Sequence, residues 1–268
     1  MKKEVKRILR GVIPYYFSRI FNPNSSNIIY YKYIQKYGYA RHLFDFRHEY
    51  DNLKIDIEIQ NNLHFVIHNN KRLYFRKGLS KIKIEKMYIE LLIEQDIRSA
   101  HHYFDDRNEV KGKTFLDIGS AEGFSSLDII EEVDRIYLFE QDERWIEALN
   151  ATFEPWKEKV QIVKKYISDF NDNEHQTLDD FFMNKSKENL FLKMDIEGEE
   201  RKALNGSKTL FKESRNLSFA ISTYHENDDE KIISDFLNQF NCEFINQKGF
   251  FRNKLRSVVL RGKKTKRD

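Results

Sequence analysis

The chain has almost no cysteine and almost no net charge. Its 268 residues include one cysteine, Cys242, so no intrachain disulfide can form, and this absence fits a reducing compartment such as the cytoplasm. No apolar run approaches the roughly 20 residues that span a bilayer, and no uninterrupted apolar run at the start is typical of a cleaved signal peptide. We therefore expect a cytoplasmic protein without a membrane-spanning segment.

The near balance of charge argues against nucleic acid as the partner. Lysine and arginine number 46, and aspartate and glutamate number 43, which leaves a formal net charge of +3. Proteins that bind nucleic acid usually carry a concentrated basic face. Basic residues do cluster within residues 2–10 and 261–267, but solvated termini are the simpler interpretation of such runs. With 40% apolar residues, the chain has enough material for a large core.

Residues 1–22 combine apolar positions near helical spacing with lysine and arginine between them. Pro14 should kink or divide this amphipathic helix. The helix either packs on the body of the protein or lies on a membrane surface, as a peripheral contact at the inner face of the membrane. The pattern by itself leaves both interpretations open.

The predicted secondary structure of the first 110 residues differs from that of the rest of the chain. Residues 53–76 alternate apolar and polar positions around the pairs Asn61-Asn62 and Asn69-Asn70, which predicts a small antiparallel meander. Residues 81–104 have a helical pattern. We predict an N-terminal α+β extension over residues 1–110 and a catalytic domain over residues 111–268.

From residue 112 onward, strand-like and helix-like runs alternate. The predicted strands are 114–118, 135–140, 160–167, 189–195, 217–223, 242–247 and 256–261. The predicted helices are 124–133, 143–153, 178–185, 199–213 and 228–240. This alternation predicts an α/β fold with a parallel sheet and helices on both faces. The last connection is too short for a crossover helix, so we expect five parallel strands plus a C-terminal antiparallel hairpin.

A strand, a glycine turn and the start of a helix follow one another at residues 114–126. The strand ends near Asp117, and the turn contains Gly119 and Gly123, which let the backbone approach a ligand closely. The next strand ends in Glu140, and an acid at that position suits the two hydroxyls of a ribose. Together these features predict a site for an adenosine-containing cofactor.

The turn favours S-adenosylmethionine over a nicotinamide dinucleotide. The dinucleotide fingerprint has three glycines in the order G-x-G-x-x-G, whereas Ala121 occupies the second of these positions here. The carboxylate of Asp117 would repel a pyrophosphate, but it would attract a sulfonium with its α-ammonium group. A nicotinamide-dependent reductase is disfavoured by the missing glycine and by the closing hairpin.

Further polar residues stand at the ends of later strands. They are Ser168 with Asp169, Asp195 with Glu197, and Tyr224 with His225. Ligands of open α/β sheets bind beyond the carboxyl ends of the strands, so we expect these side chains to converge at one edge of the sheet. Each residue alone has a structural alternative, such as a helix cap, a turn former or a solvated acid.

Four strings of the chain resemble the FkbM-type S-adenosylmethionine-dependent methyltransferases. They are Phe115–Gly123, Leu138–Glu140, Thr177–Phe181 and Phe191–Glu200, and the last of these is the most specific. The resemblance covers residues 112–262 and reaches back to residues 94–103, which are similar to a segment of members from capsule or surface-saccharide gene sets. It implies a class I methyltransferase fold with a Rossmann-like sheet, and O-methylation, often of a sugar or polyketide hydroxyl.

The resemblance also implies roles for most of the strand-end residues. The methionine and ribose end of the cofactor would contact residues of the first turn: Asp117, Gly119, Ser120, Glu122 and Gly123. Glu140 would hold the ribose hydroxyls, Asp169 would lie near the adenine amino group, and Asp195 would lie beside the transferring methyl group. Residues 94–103, with His101 and His102, would either fold over the cofactor or serve as a polar helix cap.

Methyl transfer to a hydroxyl requires a group that takes the hydroxyl proton. His225 fits a general base by residue type and position, Asp195 either orients it or takes the proton itself, and Glu197 is the third catalytic candidate. A structural histidine is the alternative for His225. A Mg²⁺ route through Asp195, Glu197, His225 and Glu226 is less favoured, because no Asp-Asp pair follows the fifth strand, and we predict no metal site.

The sequence leaves three candidate functions. The first is an O-methyltransferase that acts on a saccharide, such as a capsule or surface-polysaccharide precursor, or on its lipid-linked form. The second is an RNA methyltransferase, although the chain lacks the Asn/Asp-Pro-Pro-aromatic signature of many amino-group methylases. The third is a non-catalytic interaction domain that binds the cofactor without turnover.

Overall fold

A computed structural model describes residues 2–38, 43–251 and 254–264 of the chain. The strands are β1 Glu58–Gln60, β2 Leu63–His68, β3 Lys71–Phe75, β4 Thr114–Ile118, β5 Arg135–Phe139, β6 Val160–Val163, β7 Tyr166–Ile167, β8 His175–Gln176, β9 Glu188–Met194, β10 Arg215–Ser222, β11 Cys242–Phe251 and β12 Lys254–Lys264. The helices are α1 Lys2–Arg7, α2 Ile13–Phe21, α3 Ile28–Tyr37, α4 Lys81–Glu94, α5 Phe124–Asp128, α6 Glu143–Phe153, α7 Leu178–Phe181, α8 Glu200–Asn205, α9 Lys208–Glu213 and α10 Asp229–Gln239.

The centre of the fold is a seven-stranded sheet in the order β11-β12-β10-β9-β4-β5-β6. Strands β10, β9, β4, β5 and β6 are parallel, and β12 is antiparallel to both β10 and β11. The predicted sheet of five parallel strands plus a C-terminal antiparallel hairpin is therefore confirmed. Because β11 opposes β12 as well, it points in the same direction as the five parallel strands.

Alternating side chains of the sheet enter two hydrophobic clusters, as the period of two in a strand requires. In β4, Leu116 and Ile118 belong to one cluster, and Phe115 belongs to the other. Helices cover both faces, so the central strands are apolar on both sides. A polar side chain in such a strand needs a buried partner, and that is the situation of Asp117.

Several predicted element bounds are wrong. The predicted strand 160–167 is interrupted after Val163, and residues 166–167 form β7, which pairs with β8 instead of continuing the sheet. The predicted helix 199–213 divides into α8 and α9 at Gly206, where an added Cβ would lie 2.0 Å from the carbonyl oxygen of Ser168. The predicted helices 124–133 and 178–185 also end early, at Asp128 and Phe181.

The predicted helix 81–104 is ten residues shorter than expected. Helix α4 begins after Ser80, whose hydroxyl caps the backbone N–H of Lys83, and it ends at Glu94. Residues 95–103 are turns, and the carboxylate of Asp96 accepts the backbone N–H of Arg98. Aspartate satisfies local backbone groups in this way outside helices, which explains why the helix does not continue.

The predicted N-terminal meander is confirmed as β1, β2 and β3. Both asparagine pairs have positive φ, from 48° to 63°, as the tight turns of two-residue hairpins require. Leu73 and Phe75 of β3 belong to the same hydrophobic cluster as Phe115 of β4. Residues on both sides of position 110 thus share one core, and the division into two domains there stays a prediction.

Helices α1 and α2 are joined by a π-helical turn, Ile8–Val12, so the N-terminal amphipathic pattern is divided just ahead of Pro14. Gly11 packs on α3, where an added Cβ would meet the side chain of Ile34 at 2.7 Å. Helix α3 in turn stacks Tyr30 on Phe250 of β11, with 4.5 Å between the ring centroids. In the described part of the chain, no helix has the length and apolar character needed to cross a membrane.

Candidate active site

A cavity of about 640 Å³ opens at the carboxyl ends of the parallel strands. It is bounded by the turns that follow β4, β5 and β9, by residues 165–168, and by the end of α4. Seven of the predicted site residues line it: Asp117, Gly119, Ser120, Glu122, Glu140, Asp195 and Glu197. Three others, Gly123, Asp169 and His225, are not among the residues that line it.

The two glycines of the first turn allow close packing within the protein, in addition to the close approach of a ligand to the backbone. Gly119 has a φ of +80°, and an added Cβ would lie 2.1 Å from the carbonyl oxygen of Asp195. Gly123 has a φ of +77°, and an added Cβ would meet Phe153 of α6 at 2.7 Å. The first glycine lets the ends of β4 and β9 approach each other, and the second seats the turn on α6.

Asp117 and Lys193 form a buried ion pair beneath the turn, with 2.8 Å between Oδ1 and Nζ. The hydroxyl of Ser126 donates to the other carboxylate oxygen at 2.6 Å, and Lys193 also donates to the carbonyl of Gly119 at 2.6 Å. Burial opposes the charge of Lys193, but the carboxylates of Asp117 and Asp195 outweigh it and raise the pKa of Lys193. The pair therefore holds the turn to β9.

Glu140 follows β5 and has its carboxylate fixed by backbone amides. The N–H of Ala121 donates to Oε2 at 2.9 Å, and the N–H of Asp142 donates to Oε1 at 2.8 Å. Burial raises the pKa of Glu140, and the two amides partly oppose that effect. A carboxylate has about four lone-pair sites, so each oxygen keeps capacity for a further donor from the cavity.

Glu122 lies in the first turn and is buried against the cavity. Burial raises its pKa to about 7, with Asp117 and Glu140 adding to the effect and Lys193 opposing it. A carboxyl group with this pKa changes charge near neutral pH. A cation bound in the cavity would favour its ionised form.

Asp195 follows β9 and faces the cavity between two tyrosines. The hydroxyl of Tyr103 donates to Oδ2 at 2.9 Å, and that of Tyr224 lies 3.2 Å from Oδ1. Burial would raise the pKa of Asp195, but Lys193, His225 and the tyrosine hydrogen bond together lower it. Asp195 is therefore ionised at neutral pH and is a weak base.

His225 follows β10, and its ring is held by Glu200 at the start of α8. Nδ1 lies 2.9 Å from Oε1 of Glu200, while Nε2 lies 3.6 Å from Asp195 and 3.5 Å from Glu197. Burial would lower the pKa of His225, but Glu200, Asp195 and Glu197 outweigh it and raise the pKa. The Nε2 atom is buried without a hydrogen-bond partner in the described structure. The two carboxylates near it, those of Asp195 and Glu197, belong to residues that line the cavity.

Glu200 is the site residue that sequence reasoning missed. Its side chain is 0% exposed, and its oxygens accept the backbone N–H groups of Ile196 and Gly198 at 2.9 and 3.1 Å. The residue stands within the most specific motif string, but no pattern in the sequence indicates that it faces His225. Tyr103 belongs to the segment 94–103, but no sequence pattern predicted its contact with Asp195 either.

Asp195, Glu200 and His225 present ligand atoms within 4.8 Å of one another, which is the spacing of a candidate metal centre. The oxygens of Glu200 already accept two backbone amides and the Nδ1 hydrogen of His225. That carboxylate is therefore directed at the protein rather than at an ion. Glu226, the further possible ligand, is exposed and does not belong to this group.

The remaining sequence candidates lie around the cavity rather than in it. Asp169 is exposed, and its neighbour Ser168 lines the cavity instead. His102 is buried against Arg261, which donates to its Nε2 at 2.7 Å, and the ring of His101 packs edge-on against Tyr224. Within residues 94–103, it is Glu94, Gln95 and Tyr103 that line the cavity.

The lining of the cavity is strongly acidic. Its three ammonium groups belong to Lys165, Lys193 and Lys202. Its seven carboxylates belong to Glu94, Asp117, Glu122, Glu140, Asp195, Glu197 and Glu199. Such a surface attracts cations and repels phosphates.

Comparison with known proteins finds similarity in structure alone. No family profile matches the chain, and no curated protein matches it. An FkbM methyltransferase from Methylobacillus flagellatus KT is similar over 69% of this chain and 55% of its own, with 15% identity and a TM-score of 0.47. The chain thus matches about half the length of that methyltransferase.

Two further solved structures are similar at lower scores. One is an rRNA methylase from Streptococcus thermophilus, with 10% identity over 60% of this chain and 93% of its own, and a TM-score of 0.43. The other is magnesium protoporphyrin IX methyltransferase from Synechocystis PCC 6803 with bound SAM, with 11% identity over 58% of this chain and 72% of its own, and a TM-score of 0.39.

Proposed function

We propose that the protein is an S-adenosylmethionine-dependent O-methyltransferase of the cytoplasm. The observation that carries this proposal is the acidic cavity at the strand ends, which runs from Glu140 past the turn at Gly119 to Asp195. An S-adenosylmethionine molecule brings a ribose diol, an α-ammonium group and a sulfonium. Each of these groups has a complementary carboxylate in the cavity.

The contacts of the cofactor residues support the roles we propose for them. Glu140 keeps free lone pairs after binding two amides, so it is able to accept the ribose hydroxyls. Glu122 would face the cationic methionine end, with the ion pair of Asp117 and Lys193 beneath the turn. The positive φ of Gly119 brings the backbone close to that end. Ser168 is a better candidate than Asp169 for contact with the base, because Ser168 lines the cavity.

The proposed reaction moves a methyl group from the sulfonium to an acceptor oxygen. The C–S bond breaks as the C–O bond forms, sulfur takes the bonding electron pair and becomes a neutral thioether, and the acceptor proton goes to Nε2 of His225. Glu200 keeps the proton of the neutral ring on Nδ1, which leaves Nε2 as the acceptor. Asp195 and Glu197 then stabilise the imidazolium, because both carboxylates lie within 3.6 Å of Nε2.

The acceptor we propose is a hydroxyl of a saccharide, such as a precursor of a capsule or surface polysaccharide. A neutral polyol tolerates the surplus of carboxylates around the cavity, whereas the phosphates of RNA would be repelled by it. This charge also disfavours a nicotinamide dinucleotide, whose pyrophosphate carries negative charge.

Isothermal titration with S-adenosylmethionine, run beside NADH, tests the cofactor. Glu140→Ala should weaken S-adenosylmethionine binding by about 10- to 100-fold, because a hydrogen bond to a charged group contributes about 1.5–3 kcal/mol. Glu143→Ala is the matched control, since Glu143 is exposed near the same strand end and pairs only loosely with Lys164 at 3.5 Å. Absence of heat with S-adenosylmethionine, or equal binding by the two variants, would contradict the proposal.

Labelled S-adenosylmethionine then separates the functions that share this cofactor. Transfer of label to oligosaccharides supports the proposed acceptor. Transfer to RNA instead would establish the second candidate, and tight cofactor binding without transfer to either would favour the interaction domain. If the His225→Gln variant kept wild-type activity, His225 would not be the general base.

A further inference from the structure

The last two turns of the N-terminal helical segment expose a continuous apolar face. Five side chains of α2, spaced i, i+3, i+4, i+7 and i+8, are between 54% and 71% exposed. They form the α2 apolar face: Ile13, Tyr16, Phe17, Ile20 and Phe21. A helix with this spacing normally buries such a stripe against its own protein, so the exposure of all five residues is unusual.

The part of the segment that precedes α2 is attached to the body of the protein. Gly11 is buried against Ile34 of α3, and Arg7 donates to the carbonyl of Gln35 at 2.9 Å. Tyr33 and Ile34 in turn pack with Phe250 of β11. The α2 apolar face is therefore presented outward on a support anchored to the central sheet.

The charge of the N-terminal helical segment indicates which kind of surface covers the α2 apolar face. Residues 2–21 contain six basic residues and one acidic residue, Glu4, whose carboxylate pairs with Arg7. Two copies of so basic a segment would repel each other, which argues against a dimer through α2. A lipid surface with an apolar interior and anionic headgroups would accommodate both the apolar stripe and the basic residues of the segment.

The aromatic content agrees with a membrane interface. Three of the five side chains are aromatic: Tyr16, Phe17 and Phe21. The ring centroids of Phe17 and Phe21 lie 4.5 Å apart. Aromatic side chains with an apolar body are favoured at the level of the lipid headgroups.

We propose that the α2 apolar face docks the protein on an anionic lipid surface, in the plane of the membrane. The segment lies on the bilayer rather than across it. Association brings the protein to the membrane, where lipid-linked saccharides are located. The docking itself depends on α2 and its basic neighbours and does not depend on methyl transfer.

Co-sedimentation of the full chain with lipid vesicles tests this proposal. The probes are vesicles of phosphatidylcholine alone and vesicles in which about one lipid in four is phosphatidylglycerol. In the second kind, each basic residue near the surface is attracted to the anionic headgroups. We expect binding to the second kind only, and weaker binding at high salt. The variant F17S/I20S should bind at least about tenfold more weakly, since each side chain loses most of its burial.

The matched control is Ile82→Ser, because Ile82 is 65% exposed on α4 and does not belong to the N-terminal helical segment. It should bind vesicles like the wild type. Equal binding by F17S/I20S and wild type would overturn the proposal, as would no binding to anionic vesicles at low salt. A dimer in light scattering that F17S/I20S dissociates, with no vesicle binding, would assign the face to a second copy instead. Titration with S-adenosylmethionine on the same samples keeps this result separate from the proposed function.

Discussion

The carboxylate of Glu200 lies 2.9 Å from Nδ1 of His225, joining the start of α8 to the end of β10. Both side chains are almost fully buried, with 0% and 7% of their surfaces exposed. Two backbone amides hold Glu200 in place, so the histidine ring has a fixed orientation and a fixed tautomer. This relationship resembles the carboxylate–imidazole pairs that position a general base.

Glu200→Gln should lower the pKa of His225, because it removes the buried negative charge that favours the imidazolium. NMR titration of the His225 ring protons measures this shift, with His225→Asn identifying the signal. Methyl transfer should fall by about 10²-fold or more, because the ring loses its orientation and basicity. The limb of the pH profile that rises as His225 loses its proton should move to lower pH. Glu200→Asp should restore part of both properties, and an unchanged titration in Glu200→Gln would refute the role of Glu200.

Glu122→Gln should stabilise the protein at alkaline pH and weaken cofactor binding. The pKa of Glu122 rises from 4.5 to about 7 on folding, so its stabilising contribution is complete below pH 4.5 and is lost as the pH rises through 7. At pH 8 the glutamine variant should gain about 3 kcal/mol in the free energy of unfolding, and near pH 4 the two proteins should be equal. Urea denaturation at the two pH values checks this difference.

The same group should make cofactor binding pH-dependent. A cation in the cavity favours ionised Glu122, so S-adenosylmethionine should bind more tightly as the pH rises through 7, with release of a proton. Calorimetric titration in buffers of different ionisation enthalpy measures how many protons are released when S-adenosylmethionine binds. A Glu122→Gln variant that keeps the wild-type affinity and proton count would show that Glu122 does not face the cation.

Gly119→Ala should be far more destabilising than Gly78→Ala. The two glycines have nearly the same φ, +80° and +82°, but an added Cβ meets the Asp195 carbonyl at 2.1 Å in the first case and open space in the second. Gly78→Ala should therefore cost only the left-handed backbone term, about 1–2 kcal/mol. Gly119→Ala adds a displacement of β9 from β4 and should cost at least about 3 kcal/mol. Similar unfolding midpoints for the two variants would contradict this account of the turn.

Lys193→Met should destabilise the protein by about 3–5 kcal/mol, because it leaves the carboxylate of Asp117 charged and buried without its cation. The double variant D117N/K193M should recover much of this loss, since asparagine carries no charge and still accepts the hydroxyl hydrogen of Ser126. Urea midpoints with unchanged slopes measure both effects. A double variant less stable than Lys193→Met would show that the pair acts through packing and not through charge.

Much of the fold could be predicted from local pattern. The two asparagine pairs predicted the turns of the meander, because a tight hairpin needs residues that tolerate positive φ. The alternation of strands and helices predicted the parallel sheet, and the short last connection predicted the hairpin. Helix lengths were less predictable, since α4, α5 and α7 end where turns and tertiary contacts replace a pattern that is still typical of a helix.

Part of the candidate site could be predicted for the same reason. Parallel strands bring their carboxyl ends to one edge, so Asp117, Glu140 and Asp195 had to lie near one another. The rule gives an edge of the sheet but no contacts, and it therefore also selected Asp169, which is exposed outside the cavity.

The sequence by itself determined the class of sheet, the glycine turn and the acidic character of the strand ends, because these depend on residues close together in the chain. Only the tertiary structure decided that Glu200 faces His225, that Lys193 neutralises Asp117, and that the α2 apolar face points outward. Each of these depends on groups brought together from distant parts of the chain, or on which face of a helix the protein covers. Strand register and side-chain packing set those relationships, and neither can be predicted from a short stretch of sequence.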